Sequence, residues 1–392
     1  MPKKILIFST AYLPFVGGAE IAIKEITARL EEIQFDLITL RFDRALPKFE
    51  KLGNVNIYRI GFTANKPNMS DLVKWPLKLN KYIFPFAAAG AACRLNRKNN
   101  YDGIWAMMAA FAGFAAVFFK LCHKNTPYLL TLQEGDPIEE IKKKVRLVYP
   151  LFKRIFIKAD FIQVISNYLA GYARGMGYQG ELAVVPNGVD VKKFKVESLK
   201  LKVKDIKNKL AFAENDKIII TTSRLVEKNG VGDLIEAMRY LPANVKLLII
   251  GAGELEKNYK LQITNYKLEG RVIMLGEIKN ELIPEYLSIA DVFVRPSLSE
   301  GQGIAFLEAM AAGVPIIATP VGGIVDFLRD GETGLFCRVS DPASIAAKIK
   351  ILFANKEMAE ALRNNAGELV RKNYGWDSIA VKMEKIFNQL TV

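Results

Sequence analysis

The chain has 392 residues, 51% hydrophobic and 24% charged, enough for two globular domains with separate cores; this excludes a disordered, collagenous or low-complexity protein. Its formal charge of +14 is lopsided: residues 1–195 hold 29 Lys/Arg against 16 Asp/Glu, whereas residues 196–392 hold 26 against 25. Three widely spaced cysteines (Cys93, Cys122, Cys337) without a CxxC pair, and a single histidine, His123, argue against a disulfide framework, a metal centre or a Ser-His-Asp triad, and favour a reducing cytoplasm.

After Lys3-Lys4, the apolar run at residues 5–8 is too short for the hydrophobic region of a signal peptide and reads as a first buried strand. Similar apolar runs at 35–40, 55–60, 103–105, 128–131 and 161–165 read as further strands, with a helix over 19–30 after the first. Residues 104–119 carry no charge, but the run is shorter than the ~20 residues a membrane span needs; it reads as a short strand entering a buried helix. Pro186-Asn187-Gly188 marks a turn, and the charged stretch 192–209 reads as a linker with a following helix. The alternation then resumes, with strands at 217–221, 245–250, 272–275, 292–294 and 315–318 and an amphipathic helix at 376–390. Alternating strand and helix implies an α/β protein of two Rossmann-like, doubly wound domains facing a central cleft, 1–190 and 198–375, with a C-terminal helix (376–392) able to pack back on the first. Ligands of such sheets bind beyond the carboxyl ends of the strands.

Four segments carry the chemistry. The most specific runs from Ser297 to Pro315, where Gly301 and Gly303 form a tight loop that opens a helix at Ile304. Helix N-terminal amides lack internal partners and attract anions. Glu300 in the loop can meet a sugar hydroxyl, and Glu308, about one turn into the helix, can accept from two vicinal ribose hydroxyls; the alternative for each is a solvated carboxylate. A strand ending near Thr222 delivers Arg224 and Lys228, cations suited to a diphosphate. Gly251-Ala252-Gly253 is a weak dinucleotide signal, because Glu256 stands where a third glycine belongs. Gly17-Gly18, after the first strand, is a second loop through which backbone can approach phosphate.

Together these segments resemble the fourth family of glycosyltransferases, retaining enzymes of the two-Rossmann (GT-B) architecture. The resemblance is strongest from Ser223 to Phe336, where Glu300 and Glu308 match a Glu-x7-Glu motif, and extends to Gly17–Glu20 and Pro186–Asp190. It implies that the first domain receives the acceptor and the second the donor. Arg224 and Lys228 would hold the donor diphosphate and Glu308 the ribose, while Glu300 and the Gln302–Ile304 backbone would meet the sugar and its phosphate. It implies no metal and no cofactor beyond the nucleoside-diphosphate sugar, and retention of configuration by front-face attack. One position departs: many members carry histidine after the fifth strand of the first domain, where this chain has Gln133, which cannot act as a titrating base; Glu134 and Asp136 are nearby substitutes.

The reading is therefore a cytoplasmic hexosyl- or N-acetylhexosaminyltransferase acting on a glycan or lipid-linked glycan. A nucleotide-sugar epimerase and a non-catalytic sugar-nucleotide-binding protein are the alternatives. No nucleic-acid-binding signature accompanies the positive charge. Residues 141–158 read as a basic amphipathic helix, and Trp75 to Phe86 mixes aromatic residues with Lys74, Lys78 and Lys81; both suit an anionic membrane surface, the alternative being an apolar face packed on the domain core with solvated lysines.

Overall fold

The computed structural model describes residues 2–67, 71–194 and 196–391. The chain divides into two compact units, Met1–Asn187 with Trp376–Val392, and Gly188–Gly375.

The first unit alternates β1 (Lys3–Phe8), α1 (Gly18–Thr27), β2 (Ile33–Leu40), β3 (Phe49–Leu52), β4 (Val55–Ile60), α2 (Leu77–Asn99), β5 (Gly103–Met107), α3 (Phe111–Cys122), β6 (Tyr128–Leu132), α4 (Ile138–Lys144), α5 (Tyr149–Ile157), β7 (Phe161–Val164), α6 (Asn167–Gly175) and β8 (Glu181–Val184). Its sheet has the order β3-β4-β2-β1-β5-β6-β7-β8, parallel except for the β3–β4 pair. Helices cover both faces, so the inner strands are apolar at consecutive positions. Leu6, Phe8, Ile104, Leu130 and Ile162 pack in one core with Phe84 and Phe119. Ile5, Ile7, Phe35, Trp105 and Leu129 pack in the other. The helix Trp376–Leu390 closes that second core with Trp376, Ile379, Met383, Ile386 and Phe387, and the Phe387 ring meets Trp105 at 5.3 Å. The uncharged run after Asp102 forms β5 and α3. The hairpin strand β3, largely exposed at the sheet edge, had no apolar run to announce it.

The basic segment 141–158 is not one helix. α4 ends at Lys144, a 3-10 turn spans Arg146–Val148, and α5 starts afresh with Pro150 in its first turn. Proline has no N–H and cannot continue an incoming helix. Phe152, Ile155 and Phe156, read as a candidate membrane-facing stripe, are buried in the domain core, and Ile141 and Val145 pack against it. Leu147 is left 93% exposed.

The second unit contains α7 (Val196–Lys209), β9 (Lys217–Thr222), α8 (Val231–Ala237), β10 (Val245–Ile250), α9 (Glu256–Asn265), β11 (Val272–Gly276), α10 (Ile283–Leu287), β12 (Val292–Arg295), α11 (Ile304–Ala311), β13 (Ile316–Ala318), β14 (Leu335–Phe336), α12 (Pro342–Ala354) and α13 (Lys356–Asn373). Its six parallel strands run β11-β10-β9-β12-β13-β14. The chain builds outward from β9 in one direction and then returns to β12 on its other side. The strand order therefore reverses between β9 and β12, and a crevice opens at their carboxyl ends. In the first unit the corresponding reversal lies between β1 and β5. Among the described residues no helix is long and apolar enough to cross a membrane.

Candidate functional site

The reversal point of the second unit is built from loops that fit each other without room for side chains. Gly230, at φ +66°, lies so close to Pro296 that a β-carbon would stand 1.9 Å from its carbonyl oxygen. The Lys228 carbonyl accepts from the Leu298 amide at 2.7 Å, tying the loop after β9 to the loop after β12. Buried Asn229 donates to the Arg224 carbonyl at 2.7 Å, which fixes the backbone from which Arg224 projects into solvent. Gly251 and Gly253 would each collide with this first loop if they carried a β-carbon, at the Ser223 and Leu225 carbonyls. The Gly-x-Gly weighed as a dinucleotide signal is thus spent on close packing of two loops. On the far side, Gly322 (φ +55°) seats itself on the Glu300 carbonyl, and the Gly323 amide donates to the same oxygen at 3.0 Å.

Within this frame sits a buried charge cluster. Arg295, the last residue of β12, forms an ion pair with Glu300; both side chains are about nine-tenths buried. The guanidinium also donates from Nε to Ser297 Oγ at 3.2 Å and lies 4.8 Å above the Phe306 ring. Burial and the nearby Arg224 lower the Arg295 pKa to about 10, partly offset by Glu308, and the side chain stays cationic at neutral pH. Glu300 Oε1 accepts from the Gly301 amide at 3.1 Å. Gly303, at φ +89°, caps α11, and Gln302 is buried beside it. Glu308, one turn along α11 from Ile304, is half-buried. Desolvation pushes its pKa up to about 7, opposed by the positive charges of Lys193 and Arg295. Arg224, Glu300, the Gly301–Ile304 loop and Glu308 therefore meet at one reversal point, with Lys228 on the loop that borders it. Arg295 and Lys193 were missed. A charged residue at the end of an apolar strand reads as its boundary, and Lys193 lies 115 positions from Glu308 in the sequence.

The first unit places the remaining candidates. Gly17 and Gly18 open α1 beside the β1–β5 reversal, but the Gly17 amide donates to the Glu20 carboxylate at 2.7 Å in a capping box, so this N–H already has an anionic partner. Gln133, just past β6, exchanges two hydrogen bonds with Asn187: Gln133 Nε2 donates to Asn187 Oδ1 at 3.1 Å, and Asn187 Nδ2 donates to Gln133 Oε1 at 3.0 Å. A buried polar chain lies beneath the pair. Trp105 Nε1 donates to Thr131 Oγ1 at 2.8 Å, Thr131 donates to Gln163 Oε1 at 2.7 Å, and Gln163 Nε2 donates to the Val185 carbonyl at 2.5 Å. Glu134 is buried and accepts from the Ala109 amide at 2.7 Å, and desolvation raises its pKa to about 7. Asp136 pairs with Lys144 at 3.4 Å.

A doubly wound sheet with cations and a glycine-opened helix at its reversal point is an α/β domain with an anion-attracting crevice. Comparison with known proteins carries this further. The model of the glycosyl transferases group 1 matches residues 202–369, and that of glycosyltransferase family 4 matches residues 16–193. Among curated relatives, the N-acetyl-alpha-D-glucosaminyl L-malate synthase of Bacillus anthracis is 29% identical, covering 98% of this chain and 97% of its own. The alpha-monoglucosyldiacylglycerol synthase of Acholeplasma laidlawii is 23% identical over 99% of this chain and 97% of its own. Among solved structures, HepE of Anabaena in complex with UDP-glucose superposes with a TM-score of 0.81 at 20% identity, over 98% of this chain and 99% of its own. The chain belongs to the group 1 glycosyltransferases of GT-B fold.

The Arg295–Glu300 pair generates a stability prediction. Removing one partner of a buried ion pair leaves the other uncompensated, at a cost of about 3–5 kcal/mol, whereas replacing both is far milder. Arg295→Met should therefore lower the urea midpoint strongly, and adding Glu300→Gln should recover most of the loss. Additive single and double effects would show that the pair is not a unit.

Proposed function

We propose that the protein is a retaining, metal-independent glycosyltransferase that moves a hexosyl or N-acetylhexosaminyl group from a nucleoside-diphosphate sugar to a glycan or lipid-linked glycan. The observation that carries this reading is the convergence at the β9–β12 reversal of Arg224, the glycine loop opening α11, and the carboxylates Glu300 and Glu308. Arg224 and Lys228 supply positive charge where a leaving diphosphate gains negative charge, so these residues and the α11 N-terminus can stabilise departure without a divalent ion. Glu308 would accept from the ribose hydroxyls. Glu300, held by Arg295 with one oxygen on the Gly301 amide, would present acceptor lone pairs to a sugar hydroxyl. In front-face retention the C1–O bond to the diphosphate breaks as the acceptor oxygen bonds to C1 on the same face, and the acceptor proton passes to the departing phosphate oxygen. No side-chain base is required, which accommodates Gln133 and its commitment to Asn187. The UDP-glucose complex of the Anabaena protein supports a nucleotide-sugar donor, and the names of the Bacillus and Acholeplasma relatives support N-acetylglucosaminyl and glucosyl transfer respectively.

Glu308 gives the pH dependence. Its carboxyl titrates near 7, and only the ionised form accepts from two hydroxyls, so a proton competes with the donor. Affinity should hold above pH 8 and fall as pH drops through 7, by about tenfold between pH 8 and 6. Calorimetric titration of a nucleotide sugar in excess chelator measures this. Glu308→Gln should bind weakly and without the pH dependence. A wild-type affinity flat from pH 6 to 8, or one abolished by the chelator, would refute the ribose assignment or metal independence respectively.

Peripheral attachment to an anionic, inner membrane face belongs to the same proposal. Support comes from the α2 region: Trp75, Tyr82 and Phe86 are exposed among Lys74, Lys78 and Lys81, and no Asp or Glu occurs between Asp71 and Asp102. Aromatic rings at the lipid interface and cations near an anionic leaflet each add affinity, about 1 kcal/mol per cation. Binding to phosphatidylglycerol vesicles should fall as salt rises and weaken in Trp75→Ala/Phe86→Ala. Equal recovery in the supernatant with neutral and anionic vesicles at low salt would contradict it.

A further inference from the structure

Helices α2 and α3 are matched rung by rung. Tyr82 meets Phe111 edge-on at 5.6 Å, Phe86 stacks on Phe118 at 5.0 Å, and Asn96 hydrogen-bonds the His123 ring at 3.2 Å. On α2, positions 82, 86, 93 and 96 advance by four, seven and three residues and so share one face; on α3, positions 111, 118 and 122 advance by seven and four. Cys93 and Cys122 fall on these stripes between the Phe86–Phe118 and Asn96–His123 rungs. The two thiols are near enough to act on each other: burial first, and then Cys122, raises the Cys93 pKa, while Arg97 and Arg94 oppose the rise. The two cysteines, widely separated in sequence and so set aside there as a pair, are neighbours in space.

Their exposures differ usefully. Cys122 is exposed at the end of α3 and Cys93 is half-buried. Cys337 is buried and donates to the Ala318 carbonyl at 3.3 Å. Arg94, Arg97, Lys98, Lys120 and Lys124 are close in sequence to the pair, Lys120 being ion-paired with Asp160 at 2.6 Å. The thiolate is the attacking species in exchange, and access decides which cysteine meets an incoming disulfide first, so the exposed Cys122 leads.

We propose that Cys93 and Cys122 form a redox-active thiol pair that closes to a disulfide across the α2–α3 seam when the protein meets a low-molecular-weight disulfide. The exposed Cys122 thiolate attacks one sulfur of oxidised glutathione, making a mixed disulfide and releasing one glutathione thiolate. Cys93 then gives up its proton as it attacks Cys122 Sγ, expelling the second. Two cysteine thiols are oxidised, one glutathione disulfide is reduced to two thiols, and the protons balance. The product covalently joins the two helices whose outer surface carries Tyr82 and Phe86, and it does not depend on the transfer reaction.

The full-length protein is equilibrated with oxidised glutathione under native conditions, quenched by alkylation and mapped by mass spectrometry. Expected are a Cys93–Cys122 linked peptide, a monomer on a non-reducing gel, one remaining titratable thiol after unfolding (Cys337), and a thermal midpoint that rises on oxidation and returns with dithiothreitol. Cys93→Ser should stop at a stable glutathione adduct on Cys122. Wild-type protein that stops at that same adduct, or that cross-links into dimers through Cys122, would overturn the proposal.

Discussion

The loop after β9 and the loop after β12 approach so closely that Gly230 lies against the Pro296 carbonyl and the Lys228 carbonyl receives the Leu298 amide. The Gly322 contact repeats the device on the far side, at the Glu300 carbonyl. A side chain at either glycine would force the loops apart. The positions of Arg224, Lys228, Glu300 and the α11 N-terminus are therefore set by backbone fit before their charges act. Such a frame suits a site that must stabilise a growing charge, because donors already in place need no reorganisation when the charge develops.

The Arg295–Glu300 pair is the electrostatic part of the same frame. A carboxylate as buried as Glu300 needs a partner, and Arg295 supplies one while anchored to Ser297 and lying over Phe306. Glu308, which has no direct partner of this kind among the described residues, is pushed towards neutrality. The two carboxylates of one motif thus have different characters, one a fixed acceptor and the other titratable near neutral pH. In the first unit the polar line from Trp105 through Thr131 and Gln163 to Val185 does comparable work, fixing the backbone just before Asn187 so that it meets Gln133.

Much of the fold is legible because both sheets are covered on both faces, which writes the inner strands as short apolar runs such as residues 5–8 and 245–250. The Glu300–Glu308 spacing and its glycines are equally local, so a linear reading reaches them. What escapes is proximity between distant residues: Lys193 within electrostatic reach of Glu308, Asn187 with Gln133, and Cys122 near Cys93. The basic segment 141–158 misleads for a related reason. Its apolar spacing is compatible with a membrane face, and only the packed structure shows Phe152, Ile155 and Phe156 consumed by the core. Around α2 the outcome is divided: Trp75, Tyr82 and Phe86 are left uncovered, whereas Phe84 is consumed by the core.

The central claim is that the β9–β12 reversal binds a nucleoside diphosphate through its phosphates. Titration calorimetry with a nucleoside, its monophosphate, its diphosphate and the corresponding sugar diphosphate, on wild type and on Arg224→Ala/Lys228→Ala, tests it most directly. The account predicts that affinity rises sharply on reaching the diphosphate and that this gain vanishes in the double variant while nucleoside binding persists. Equal affinity for nucleoside and diphosphate, or a diphosphate gain untouched by the double variant, would contradict it.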